Sequence, residues 1–288
     1  MASTQTTTRR LGDTAVFPIG LGAMHMSLSG RPSEEQSIRT IQAAVDAGCR
    51  LIDTADAYAE GEGDIGHNER LIAKALRGRR DDVIVATKGG HIRPGGAWEL
   101  DGSARHLREA CEASLRALQT DRIDLYQLHR PDPRVPYAES VGALKELQDE
   151  GKVRWVGLSN ADAEQLEEAL GIVEVVALQN QLSLGYTGPL AKGEVQLATE
   201  RDIAFLPWSP LGGIGSADSP GGVNPVNAAA ERHGVSPQRV ALAWLLSLSP
   251  RVIPIPGASR PETITDSLQA AELVLDGEEL EAIAAAVS

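Results

Sequence analysis

Apolar positions along the chain gather into short runs separated by longer stretches with helical spacing. The runs are "LID" (51–53), "VIVAT" (83–87), "IDLYQL" (123–128), "VRWVGL" (153–158), "VVALQ" (175–179), "IAFLP" (203–207) and "VIPIP" (252–256). Each is rich in β-branched or other apolar residues and reads as a strand. Between and after them, apolar residues recur at helical intervals over 34–47, 68–77, 103–118, 138–150, 162–170, 190–200, 236–248 and 261–272. Many of the strand runs are apolar nearly throughout, the mark of parallel strands covered on both faces.

With "FPIGLG" (17–22) as a first strand, the pattern predicts eight strands and eight helices, the count of a (β/α)8 TIM barrel in the α/β class. The competing architecture is a doubly wound open sheet, which usually carries a Gly-rich phosphate turn after its first strand. Here that turn reads "GLGAMHMS", with His25 where the third glycine belongs, so the barrel is the better expectation. The boundaries predicted are a flexible, solvated N-terminus over 1–10, "MASTQTTTRR", and one barrel domain over 11–288. The Gly-rich piece "LGGIGSADSPGGVNP" (211–225) is read as a loop within that domain, because helical spacing resumes directly behind it.

In a barrel of this kind the chemistry sits at the C-terminal ends of the strands. Those ends carry Asp53, with Tyr58 in the following loop, then Lys88, His129, Ser159 with Asn160, and Gln179. The last two strands run into "LPWSPLGG" and "IPGASRPE". Polar groups from seven strand ends thus converge on one rim. Asp56 is read as a turn acid.

Composition narrows the function. The 288 residues are 42% hydrophobic and 23% charged, enough for a large core in a soluble globular chain. A net charge of -13 speaks against nucleic acid and anionic membrane as partners, since both need clustered Lys and Arg. Cys49 and Cys111, each in an apolar pattern, read as reduced core thiols, which suits a cytoplasmic location. No run approaches the roughly 20 apolar residues of a membrane span, and the N-terminus lacks the apolar centre of a signal peptide. His25, His67, His91, His106 and His233 show no HxH or HExxH spacing, so no metal site is expected and they read as surface or loop residues.

Taken together, the motifs resemble the aldo-keto reductases in type and in order, from "FPIGLGAM" to "ELVLDGEEL". "DTADAY", "ATK" and "LHR" are similar to the segments where that family keeps a catalytic tetrad, which on this chain implies Asp53, Tyr58, Lys88 and His129. "GLSN", "LQNQ", "WSPLGG" and "IPGASRPE" are similar to its cofactor segments. The resemblance implies a monomeric, nicotinamide-dependent reductase of small-molecule carbonyl compounds, aldehydes or ketones.

The residue types suit that chemistry. Carbonyl reduction needs a hydride on carbon and a proton on the oxygen as charge develops there. Tyr58 is the natural acid. Its reference pKa of about 10 is high, and the ammonium of Lys88 is expected to lower it. A buried lysine needs a carboxylate to stay charged, which Asp53 can supply. His129 can donate to the substrate oxygen and orient it.

For the cofactor, the resemblance implies Gly22, Met24, Asp53, Ser159, Asn160, Gln179, Trp208, Ser209, Pro210, Leu211, Gly213, Ser259, Arg260 and Asp266. Ser159, Asn160 and Gln179 would hold a carboxamide, and Trp208 stands where the family commonly stacks a tyrosine on the nicotinamide. At the adenosine end Gly257 replaces a frequent lysine and Thr263 a frequent arginine, while Asp266 and Ser267 replace a common Glu-Asn pair. Ser259 and Arg260 are left as holders of a 2′-phosphate, with the N-terminus of the helix from Pro261, so NADPH (NADP+) is expected over NADH. Met26 and Ser27, Tyr58, the "HIRPGGAWEL" loop (91–100) with Trp98, and the Gly-rich loop after Trp208 are expected to wall the substrate pocket. A second reading keeps the barrel as a cofactor-binding redox sensor or regulatory subunit with little turnover, and a third is a metal-dependent barrel hydrolase.

Overall fold

The computed structural model describes residues 8–212 and 224–287. The chain opens with an antiparallel hairpin, β1 (Arg9–Leu11) and β2 (Thr14–Val16), followed by β3 (Leu21–Gly22), α1 (Glu34–Asp46), β4 (Leu51–Asp53), α2 (His67–Ala75) and β5 (Ile84–Gly89). A second hairpin, β6 (His91–Ile92) and β7 (Glu99–Leu100), interrupts the alternation. Then come α3 (Ala104–Leu118), β8 (Ile123–Leu128), α4 (Tyr137–Asp149), β9 (Val153–Ser159), α5 (Ala163–Leu170) and β10 (Val175–Gln179). The last part holds α6 (Gly188–Ala191), α7 (Glu194–Glu200), β11 (Ala204–Phe205), α8 (Asn224–His233), α9 (Pro237–Ser247), α10 (Pro261–Leu268) and α11 (Gly277–Ala286).

Seven parallel strands form one sheet in the order β11-β10-β9-β8-β5-β4-β3. The eighth run, "VIPIP", closes the ring without becoming a strand. Val252 bridges Phe205 on one side and Gly257 bridges Gly22 on the other, with Ile253 N donating to Phe205 O and Gly20 N and Gly22 N donating to the carbonyls of Pro254 and Pro256. Pro254 and Pro256 have no N–H to donate, so the ladder is half-bonded there. Closure excludes the open doubly wound sheet and bears out the barrel.

Three expectations need correction. Residues 9 and 10 belong to β1 rather than to a solvated tail: Arg9 is buried, and its guanidinium donates to Ser249 O and Leu246 O (both 2.8 Å), carbonyls at the C-terminal end of α9. The predicted helix over 190–200 is two helices, broken where Gly193 takes φ +72°. Helix α11 was not among the eight expected, its ten residues lying past the last run of helical spacing counted, 261–272.

Alternation along the strands positions the site. Leu51, Ile84, Ala86, Leu125, Trp155 and Ala177 pack inside the barrel, against Leu11 and Val16 of the first hairpin, which fill its floor. Their neighbours Ile52, Val85, Tyr126, Val156 and Leu178 face outward into the helix layer. Two residues beyond Leu51, Ala86, Leu125 and Ala177 come Asp53, Lys88, Gln127 and Gln179, with Ser159 two beyond Gly157. The apolar core of the barrel therefore turns polar at the C-terminal end of each strand.

Candidate active site

At that end lies a cavity of about 560 Å3 lined by residues from β3, β4, β9, β10, the second hairpin and the loops beyond them. Behind Asp53 and Tyr58, which line it, lies the fully buried Lys88 ammonium, which donates to Asp53 Oδ1 (2.6 Å), Thr54 O (2.7 Å) and Tyr58 Oη (3.1 Å). Burial opposes this charge, but Asp53 and then Tyr58 outweigh it and hold the Lys88 pKa above its ordinary value. Gly89 follows because the Oη of Tyr126 lies only 2.1 Å from where a Cβ would stand. The second oxygen of Asp53 accepts from Gln179 Nε2 (2.7 Å) and Gln127 Nε2 (3.3 Å). Gln127 was missed in the sequence, although alternation from Leu125 through Gln127 to His129 marks it as inward-facing.

Tyr58 is buried, and its phenol stands above its ordinary pKa. This corrects the expected direction: burial dominates, and the pull of Lys88 is further opposed by Asp53. His129 meets the Tyr58 ring edge-on at 5.7 Å between centroids. Burial first, then Lys88, His91 and Arg130, push its pKa well below the ordinary histidine value, so the imidazole is neutral near pH 7. All four expected tetrad residues therefore line one cavity or stand directly behind its wall.

Ser159, Asn160 and Gln179 line the cavity's opposite wall. Asn160 takes φ +57°, a conformation asparagine tolerates better than most residues, and its Nδ2 donates to His129 O and Ser159 Oγ (both 3.0 Å). Gly22, Met24, Trp208, Ser209, Pro210 and Leu211 also line the cavity. Gly213 and the rest of the Gly-rich loop, to 223, lie outside the described residues.

Ser259, Arg260 and Asp266 are not part of this lining. Ser259 is held to α1 by Gln36 Nε2, which donates to its carbonyl (2.7 Å), and Arg260 is exposed at the N-cap of α10. Asp266 is engaged elsewhere, in an ion pair with Arg239 and accepting from Ser236 Oγ (2.5 Å). Arg239 is thus a basic residue at this end that sequence reasoning missed, its site marked only by its place in the first turn of α9.

Two wall residues were misjudged. Met26 is in the core and Ser27 is tied to His67 Nδ1 (2.7 Å) and Asn68 Nδ2 (2.7 Å), so Met24 and His25 face the cavity in their place. The expected wall loop 91–100 does line it, through His91, Trp98 and Leu100, with His91 4.4 Å from His129 between ring centroids. Asp56 does bind the turn, accepting from Ala57 N (2.6 Å), but it is buried beside the helix acid Glu69 rather than solvated. Cys49 and Cys111 are free and buried, as expected. Among the described residues no helix is long and apolar enough to cross a membrane.

The family model described as Aldo/keto reductase family matches residues 18–288. An uncharacterized oxidoreductase of Schizosaccharomyces pombe is 32% identical over 96% of this chain and 88% of its own length. Aldo-keto reductase str7 of Strobilurus tenacellus is 32% identical over 96% of this chain and 90% of its own. Among solved structures, an aldo-keto reductase of Klebsiella pneumoniae in complex with NADPH superimposes with a TM-score of 0.81 at 30% identity, covering 96% of this chain and 93% of that one. Likeness of this extent, on the closed barrel and rim just described, means that the chain belongs to the aldo/keto reductase family and is an oxidoreductase.

Proposed function

We propose that the protein reduces aldehydes or ketones to alcohols with NADPH, Tyr58 serving as general acid. The observation that carries this reading is the Lys88 ammonium set between Asp53 Oδ1 (2.6 Å) and Tyr58 Oη (3.1 Å), two residues that line the cavity.

The residues present fit a nicotinamide cofactor. The amide nitrogen of Gln179 is engaged, donating to Asp53 Oδ2 (2.7 Å) and reaching Gln127 Oε1 (3.5 Å), which leaves its side-chain carbonyl oxygen to accept from a carboxamide, beside the hydroxyl of Ser159 and the side chain of Asn160. The indole Nε1 of Trp208 is buried without a hydrogen-bond partner, as is His25 Nε2, and both residues border the cavity. When bound, the cofactor supplies the hydride. Arg260, exposed at the start of α10, and Ser259 would bind a 2′-phosphate, which favours NADPH; the Klebsiella relative solved with NADPH agrees.

Protonation falls to the chain's own residues. A carbonyl oxygen within reach of Tyr58 Oη and the neutral imidazole of His129 accepts from both, and as negative charge grows on it the phenol proton transfers. The phenolate left behind faces Lys88, whose charge Asp53 sustains. Gln127 and Gln179 hold Asp53 in place. Steady-state NADPH oxidation with a panel of aromatic and short aliphatic aldehydes tests the reading. Turnover that depends on the aldehyde supports it; tight NADPH binding with no turnover on any member would favour a redox sensor instead.

A further inference from the structure

The hairpin β6–β7 carries His91, Trp98 and Leu100 into the cavity wall. Its strands are two residues each, too short to hold a position by pairing alone. The hold comes from Arg93 in the turn, a buried side chain whose hydrogen bonds all run to backbone carbonyls. Nη1 donates to Ala59 O (2.6 Å) and Ala57 O (3.1 Å); Nη2 donates to Gly96 O (2.8 Å) with a longer contact to Glu60 O (3.5 Å); Nε donates to Gly96 O (3.2 Å). Ala57, Ala59 and Glu60 flank Tyr58 in sequence. The guanidinium carbon also lies 4.0 Å from the centroid of the Trp98 ring, the placement of a cation–π contact.

Trp98 in turn meets three rings edge-on: His91 at 5.4 Å, Tyr58 at 6.4 Å and His129 at 6.4 Å between centroids. Nδ1 of His91 lies 3.0 Å from Glu99 O, which can only accept, so this nitrogen carries the proton and fixes the ring against the hairpin. A cation buried against neutral carbonyls gives up hydration without a counter-charge, and a lysine could supply its charge but not the fork that reaches two segments at once. The geometry is that of a clamp.

We propose that Arg93 is a positioning residue that locks the Trp98 wall to the loop carrying Tyr58, and that the resulting aromatic box selects planar aromatic carbonyl compounds over short aliphatic ones. The inference rests on the reading of Tyr58 as the proton donor. A carbonyl held by Tyr58 and His129 leaves the rest of its molecule between Trp98, His91, Leu100 and Met24. A flat ring fills that space with stacking contacts, whereas a short alkyl chain leaves the Trp98 face to water.

The test compares Arg93→Lys, Trp98→Ala and the double variant with the unaltered protein, in two measurements. Amide hydrogen exchange needs no turnover: in Arg93→Lys, exchange should rise in 57–60 and 96–100 while peptides of the barrel strands stay unchanged. In steady-state kinetics the ratio of kcat/KM for benzaldehyde over propanal should fall by about tenfold or more, the scale of a misplaced reacting group. It should reach the ratio of Trp98→Ala and move no further in the double variant. Unchanged exchange and ratio in Arg93→Lys would overturn the proposal, and so would losses that multiply in the double variant. If Arg93→Lys does not fold, Trp98→Ala decides, since its indole is 44% exposed: raised exchange in 57–60 supports the coupling and unchanged exchange rejects it. A protein that turns over no aldehyde removes the reductase reading, while exchange still decides whether Arg93 joins the two segments.

Discussion

Lys88 Nζ lies 2.6 Å from Asp53 Oδ1, and the two side chains are 0% and 4% exposed. An ion pair so buried is costly to dismantle from one side, because the remaining charge has neither water nor partner. Lys88→Met should therefore lower stability by about 3–5 kcal/mol as well as abolish most turnover. Urea denaturation of the variant checks the first part. Wild-type stability in Lys88→Met would mean that Asp53 is neutral or solvated in the fold.

Arg260→Ala should weaken NADPH binding by roughly one to two decades, the worth of about 1.5–3 kcal/mol for a charge-assisted contact, and leave NADH nearly unchanged. Titration of both cofactors against the variant separates the cases. Equal losses would show that Arg260 does not read the 2′-phosphate, and Arg239, beside Asp266, would then be the next cation to test.

Trp208 is half-buried: it borders the cavity and also packs on the barrel's interior cluster. Trp208→Ala should lower turnover and loosen the nicotinamide end while the apo protein keeps most of its melting temperature. A large fall in apo melting temperature with unchanged cofactor affinity would assign the indole to packing instead.

Burial, and then the neighbouring Glu69, push the Asp56 carboxyl well above its ordinary range. A group whose folded pKa is raised gives its full contribution below the unfolded value of about 3.9 and loses it as pH rises toward the folded value. Asp56→Asn keeps an oxygen for Ala57 N and cannot ionise. The melting-temperature difference, variant minus wild type, should grow as pH rises from about 4 toward neutrality. A constant difference would mean that Asp56 is ionised across that range.

The barrel and its polar rim were legible because both are written in local pattern. Apolar runs of the right length marked the strands, and the first polar residues past them, Asp53, Lys88 and His129, marked the rim. What stayed hidden depends on distance in sequence. Arg9 looked solvated because its acceptors are 237 and 240 residues away. The loop 91–100 was expected at the pocket, but the hold of Arg93 on the carbonyls of Ala57 and Ala59 was not, because its acceptors lie 36 and 34 residues away. The ion pair of Asp266 with Arg239 was hidden because the two residues lie on different helices. The pKa of Tyr58 was misjudged for a similar reason: sequence reveals the neighbouring lysine but not how completely the phenol is buried.

The central claim is that Tyr58 delivers the proton, and Tyr58→Phe tests it most directly by removing one hydroxyl and keeping the ring that meets Trp98 and His129 edge-on. Carbonyl reduction should fall by about 10²–10⁴-fold, the usual worth of a positioned acid, with NADPH affinity and melting temperature little changed. A Tyr58→Phe protein that reduces several aldehydes at near wild-type rates would contradict the mechanism, whatever else the cavity binds.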